Sequence, residues 1–460
     1  MTSKRYLVKV ALQKEGNMYW RNILRCRFVA VVLALVLLAS VLAACGGGGG
    51  GEQETPTVSP TLTATVAPTE TPIASETAAP TATPSPTAAP TATPTPTAIT
   101  TATPSPTPAG PVKIGVVHDF SGSDALSGSY YAERLIKLAT KQMKDQGGIL
   151  GGREVQYLKY DAKSTLAGCQ TAATEAILKD HVSVIIEGGS ASVNGEALGT
   201  IAKENHTLYV DLFILPLDII NNPYVIRPGY RMDEMDAMLN FGIKVLKAKT
   251  IGIFERDFQE DHLYADSWKK IASAAGVKVV YEDYYAIGTP DLTSFLTKIK
   301  YANPDLLLTD CLLADYPTMA MEMQGLGGWG NIKVINSMAA ALCVKMSSTN
   351  GWYIYARWLP GSSDPGSVKF IQDYKAMFGA EPDCVMELMY DPFMWAVKAI
   401  ELAGTDEPEA VARAARSGNL TWDSPGGPLS IGTDGEVTPQ VHLIAQFQGG
   451  KMVPVPPWEE

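Results

Sequence analysis

The chain has 460 residues, 46% of them apolar and 18% charged, and a formal net charge of −11 at pH 7. Its first 44 residues carry seven Lys or Arg against one acid, so the remainder stands at about −17, a surface that disfavours nucleic acid and anionic headgroups as partners. No Gly-x-Ser-x-Gly elbow, His-Glu-x-x-His stretch or phosphate-cradling glycine loop occurs, so no enzyme activity, cofactor or metal is expected.

Lys4, Arg5, Lys9, Lys14, Arg21, Arg25 and Arg27 form a basic stretch with Glu15 as its single acid. An apolar run over 28–44 follows, interrupted only by Ser40. A basic region, an apolar core and then small residues is the pattern of a secretory signal, assigned here to 1–44. Met18 opens a conventional signal by itself, so the sequence leaves two candidate starts. The run ends in Leu42-Ala43-Ala44-Cys45, which resembles a bacterial lipobox. That resemblance implies lipidation of Cys45 and attachment to the membrane, facing outside the cytoplasm. An uncleaved transmembrane anchor is the alternative, and it puts the rest of the chain on the same side.

Residues 46–51 are glycine, and 52–110 contain no aromatic residue, Lys, Arg or Cys. Such a Thr/Pro/Ala-rich segment buries too little apolar surface to offset its ordering entropy. It reads as a tether over 45–110, extended by its Thr-Pro and Ala-Pro pairs to at most roughly 200 Å. Its Ser and Thr residues leave glycosylation open.

From residue 111 onward the periodicity alternates. Short apolar strands are predicted at 112–117, 155–160, 182–186 and 208–210, with helices at 130–146, 167–179 and 195–204 between them. The same alternation restarts after Pro228. Strands fall at 250–254, 277–281, 306–309 and 334–335, and helices at 232–246, 262–275, 292–302 and 316–324. Residues 352–356 are extended, and helices are predicted at 367–378, 385–403 and 408–417. The tail, with 428–431, a Thr433-Asp434-Gly435-Glu436 turn and 441–447, predicts a hairpin. Short strands alternating with helices indicate an α/β fold with parallel sheets covered on both faces. His118 and His181 flank strands and read as edge residues. Cys169, Cys311, Cys343 and Cys384 permit three complete disulfide pairings or buried thiols, and the sequence does not choose.

Several stretches in this order resemble the type I periplasmic binding proteins, above all those for leucine, isoleucine and valine. They are Phe120-Ser121-Gly122 after the first strand, the Gly147–Arg153 turn, Tyr160-Asp161, the Gly/Ser loop over 188–192, Tyr224-Val225-Ile226-Arg227, Met323-Gln324-Gly325-Leu326-Gly327 and Met389-Tyr390-Asp391. The resemblance covers 112–455. It implies two doubly wound parallel-sheet lobes joined by three hinge crossovers near 227–230, 356–360 and 432–436. Lobe one would take 111–228 and 358–433, and lobe two 229–357 and 434–460. It further implies a small-molecule ligand in the cleft, an ABC permease and ATPase as partners, and a monomer. A sensory receptor module of the same fold is the rival reading. The chain's end, Pro456-Pro457-Trp458-Glu459-Glu460, carries no apolar span of the kind that such modules often have.

The resemblance also nominates ligand contacts. Ser190 and Ser192 fall on the loop that meets a ligand carboxylate at a helix N-terminus, where serine also serves as a plain cap. Ser121 and Ser127 follow the first strand. Asp211 stands where relatives carry a hydroxyl. Glu260, with Phe258 beside it, stands where they carry a tyrosine. Met338 falls near their amino-binding glutamate, and Asp310 lies on a shortened loop. Acids at 211, 260 and 310 with none at 338 suggest a ligand other than a branched-chain amino acid, one with a cationic or hydrogen-bond-donating group.

Overall fold

The computed structural model describes residues 110–457 except 188–191, 213–220, 230–231 and 440. The signal, Cys45 and the tether lie outside the described residues.

The first sheet starts with β1 (Val112–His118), whose residues are buried except for a half-buried Lys113. Burial on both faces requires cover from both sides, and the intervening helices provide it. Helix α1 (Glu133–Asp145) turns Leu135, Leu138, Ala139 and Met143 inward. After it come β2 (Val155–Asp161), α2 (Leu166–Thr174), β3 (Val184–Glu187), α3 (Ser192–Glu204), β4 (Leu208–Asp211) and β5 (Val225–Ile226). Thr165 starts α2 by accepting from the Gly168 N–H at 3.1 Å. The strands pair in parallel in the order β2-β1-β3-β4-β5.

The second sheet repeats that winding. It is built from α4 (Met232–Lys244), β6 (Thr250–Arg256), α5 (Gln259–Ala274), β7 (Lys278–Tyr285), α6 (Thr293–Ala302), β8 (Leu306–Thr309), α7 (Asp315–Gly325), β9 (Lys333–Asn336) and β10 (Tyr353–Ala356). The parallel order is β7-β6-β8-β9-β10, the same 2-1-3-4-5 sequence of strands. Trp268 of α5 is wholly buried and donates its indole N–H to the Met235 carbonyl of α4 at 2.9 Å.

The chain then returns to the first sheet. Helices α8 (Pro365–Phe378), α9 (Cys384–Ala403) and α10 (Pro408–Ala415) follow, and α8 and α9 pack on α1 while α9 and α10 reach β4. Asp364 and Asp383 cap the starts of α8 and α9 with their carboxylates. Gly379 and Gly404, both at φ +68°, end those helices in the left-handed conformation that glycine adopts without a Cβ penalty.

The predicted tail hairpin is corrected. The turn at 432–436 exists, but it joins β12 (Gly427–Ile431) to the short β13 (Val437–Thr438), and β12 pairs on its other side with β11 (Leu420–Ser424). Residues Leu443–Gln448 (β14) instead run antiparallel to β10, with β15 (Lys451–Pro454) beyond. Ile444, Ala445 and Phe447 are buried there, and that apolar burial outweighs local pairing. Two doubly wound lobes are thus joined by three passages of chain.

Candidate functional site

In a sheet wound 2-1-3-4-5, the crevice for a ligand opens beyond the carboxyl ends of the strands where the winding reverses. Here those points lie between β1 and β3 and between β6 and β8.

At the first, His118 ends β1. It is buried, which corrects its reading as an edge residue, because β1 is an inner strand paired on both sides. Burial lowers its pKa to about 3, so the imidazole is neutral. Its Nδ1 accepts the Asp119 N–H at 2.7 Å, which leaves the proton on Nε2, 3.4 Å from the Ser127 hydroxyl. Asp119, also buried, accepts from the Ser164 N–H at 2.7 Å. Asp161, at the end of β2, gathers the loop: its Oδ1 accepts from the N–H groups of Phe120, Ser121 and Lys163, and its Oδ2 accepts the Ser121 hydroxyl at 2.6 Å. These bonds hold Asp161 below the usual carboxylate range against the opposing effect of burial. Gly122, at φ +98°, lies where a Cβ would come within 2.6 Å of the Ser164 hydroxyl. The loop after β1 is therefore held by hydrogen bonds within the protein.

At the second point the chemistry is ionic. Glu255 and Arg256 end β6, Asp310 follows β8, and Glu260 and Asp261 lie in the first turn of α5. Arg256 grips Asp261 through Nε at 2.8 Å and Nη2 at 2.6 Å, and Nη2 also reaches Asp310 at 3.2 Å. The Asp310 N–H is shared by both Glu255 oxygens at 2.9 and 3.0 Å, and its carboxylate accepts from the Ser337 hydroxyl. The Arg256 guanidinium lies 5.3 Å from the centre of the Phe258 ring. Asp261 and Asp310 thus bond one buried guanidinium, with Glu255 and Glu260 near enough to act on the cluster electrostatically. Burial, and then the charges of Asp261 and Asp310, push the Glu255 carboxyl well up. Burial raises Asp261 to about 8, with Arg256 opposing the rise.

The structure gathers Phe258, Glu260 and Asp310 into this cluster. It places Ser121 and Ser127 separately on the β1 loop. Asp211, fully buried at the end of β4, accepts the Tyr209 hydroxyl at 2.9 Å. Ser190 and the side chains of Ser192 and Met338 lie outside the described residues. Reading the sequence missed Glu255, Arg256, Asp261 and Ser337. The signal available was two opposite charges directly after the apolar run 251–254, at the end of an inner strand. The four cysteines are buried thiols, so none of the three disulfide pairings is adopted. A surface pocket of about 410 Å³ lies elsewhere, between α1, α8, α9 and β11, over Phe370, Tyr390 and Trp422.

The chain matches the periplasmic binding protein family over residues 111–451 and belongs to it. That family comprises transporter solute-binding proteins rather than enzymes, and its members act outside the cytoplasm. A leucine-, isoleucine-, valine-, threonine- and alanine-binding protein of Pseudomonas aeruginosa is 23% identical over 325 residues, 65% of this chain and 80% of that protein. A leucine-binding protein of Thermotoga maritima superposes with a TM-score of 0.66 at 22% identity, covering 75% of this chain and 97% of that one. A solute-binding protein of Rhodopseudomonas palustris in complex with 3,4-dihydroxybenzoic acid superposes with a TM-score of 0.67 at 19% identity, covering 75% and 96%.

Proposed function

We propose that this chain is the lipid-anchored, extracytoplasmic solute-binding component of an ABC importer. Its two lobes, 111–228 with 358–433 and 229–357 with 434–460, close on a small polar molecule such as an amino acid, an amide or a related compound. Cys45 carries the anchor, 45–110 tethers a monomeric folded part, and the closed form docks on the permease.

The ligand bears a cationic or hydrogen-bond-donating group. The observation that carries this is the Asp310 carboxylate, which follows β8 at a strand-end switch point, lies 3.2 Å from Arg256 and shares its cluster with Glu260. A donor placed there replaces water with a charge-assisted hydrogen bond. The P. aeruginosa relative is named for amino acids and the R. palustris structure holds an aromatic acid, and both kinds of ligand carry a carboxylate. The carboxylate is assigned in this reading to the first lobe, where a helix N-terminus such as that of α3 after β3 suits an anion. The ligand then spans the cleft with its carboxylate on the first lobe and its donor on the second.

A thermal-shift screen against amino acids, amides, polyamines and aromatic acids tests this. A ligand at 100 times its dissociation constant stabilises by about 2.7 kcal/mol. The expected hits carry an amino or amide group, and Asp310→Asn weakens them at least tenfold. Hits confined to acids without a donor, or unchanged affinity in Asp310→Asn, would refute the donor assignment.

A further inference from the structure

The surface pocket between α1, α8, α9 and β11 belongs to neither switch point. Gln142, Met143 and Gln146 line it from the last turn and C-terminal end of α1. A helix between two parallel strands returns the chain to their amino ends, so this turn lies away from the carboxyl ends where the ligand crevice opens. Met143, Phe370, Tyr390 and Met394 are its buried lining, and Trp422 is half-buried beside them. The Trp422 ring lies 5.7 Å from that of Tyr390. The polar groups are largely matched already. Lys369 bonds Asp373 at 2.7 Å, Lys398 bonds Glu401 at 2.8 Å, and the Tyr390 hydroxyl donates to Gln142. Asp423, the remaining charge on the lining, is exposed to water. The pocket therefore suits an uncharged occupant with apolar rings.

The chain enters the first lobe beside this pocket. Arg153 donates to the Gly110 carbonyl at 2.7 Å and grips Asp406 at 2.9 and 2.7 Å. Arg153 closes the turn after α1, and Asp406 stands just past the end of α9. Two of the helices that line the pocket thus end at the knot that holds Gly110. Lys398 precedes Asp406 by eight residues, on the order of 12 Å along a helix. Before Gly110 the sequence reads Pro104-Ser105-Pro106-Thr107-Pro108-Ala109, and 99–109 carry no charge. At about 3.1 Å per residue in polyproline form, Pro108 to Pro104 reach roughly 6–19 Å from Gly110. That form has about three residues per turn, so prolines at every second position give each face a ring.

We propose that residues 104–108 dock in this pocket as a polyproline helix, so that the tether leaves the first lobe over Phe370, Tyr390 and Trp422. Proline rings pack on aromatic side chains, and the unpaired carbonyls of such a helix suit an indole N–H such as that of Trp422. The polyproline form is preordered, so docking costs little entropy. An intramolecular partner on a short link acts at an effective concentration on the order of millimolar, so a contact too weak to hold a free peptide stays filled. The docking does not rest on the solute-binding reading. Its consequence does: the anchored chain leaves from the pole away from the switch point, clear of the ligand crevice.

The test is fluorine NMR of the full chain labelled with 5-fluorotryptophan, which contains eight tryptophans. Trp422→Phe assigns the Trp422 signal. Trp268, buried in the second lobe and assigned by Trp268→Phe, is the control. Pro104→Ser, Pro106→Ser and Pro108→Ser are combined in one variant, and all three precede the first strand. In that variant the Trp422 signal should move by more than its linewidth while the Trp268 signal stays. An excess of a synthetic peptide of residues 99–110 should then bring the Trp422 signal back. A Trp422 signal that stays in place, that moves together with Trp268, or that the peptide does not restore would overturn the docking. A difference that vanishes on dilution would give the pocket to the segment of a second copy and overturn the intramolecular form. None of these results bears on the solute screen, which reads the crevice.

Discussion

Glu255 offers a quantitative test of the buried ionic site. In the unfolded chain its carboxyl titrates near the ordinary glutamate value of about 4.3. In the fold, burial and the charges of Asp261 and Asp310 raise it well above that. Between those two values the native state holds a proton that the unfolded state has released. Stability from this group therefore falls as pH rises between those two values, by at most about 1.4 kcal/mol per unit. Glutamine binds no proton, and it keeps one oxygen to accept the Asp310 N–H. The stability of Glu255→Gln relative to wild type should thus climb with pH above the unfolded value, whatever its constant offset. Urea unfolding at pH 5, 6 and 7, followed by tryptophan fluorescence, reads the difference. An offset that stays constant with pH would show that Glu255 is ionised in the fold, and the reasoning fails.

His118 contributes in the opposite sense. Its folded pKa of about 3 lies below the ordinary value, so stability is lost as pH falls from about 6.5 toward 3, and His118→Gln should flatten that acid limb in the same unfolding assay. A Cβ on Gly128 would lie 2.4 Å from the Asp119 carbonyl, so Gly128→Ala should cost about 1–3 kcal/mol by urea unfolding and, by displacing the β1 loop, reduce the thermal shift given by a hit from the screen. Trp268→Phe removes the indole bond to Met235 and leaves a void, costing about 1–3 kcal/mol by denaturant unfolding with the m-value unchanged.

The doubly wound architecture was legible because its strands are short, mostly apolar runs, as at 112–117 and 306–309, separated by helical stripes such as Leu135, Leu138 and Met143. What misled was pairing at a distance. Residues 441–447 follow an Asp-Gly turn and alternate like a hairpin arm. Their partner, β10, lies some ninety positions upstream, and no local pattern announces that choice. The same holds for the site. Glu260 could be nominated because the family resemblance aligns it with a ligand-contacting tyrosine, and Asp310 because it falls on the shortened loop after a strand. Arg256 and Asp261 could not, because their pairing depends on the helix after β6 turning back over the strand end. His118 looked like an edge residue since sequence does not reveal that strand one becomes an inner strand of its sheet.

The central claim is that one ligand engages the strand-end loops of both lobes together. Hydrogen exchange of the full chain, with and without a hit from the screen, tests it most directly. The account predicts concerted protection at 118–122 on the first lobe and at 256–260 and 309–311 on the second. Protection confined to one lobe, or to the surface pocket around Phe370 and Trp422, would contradict it.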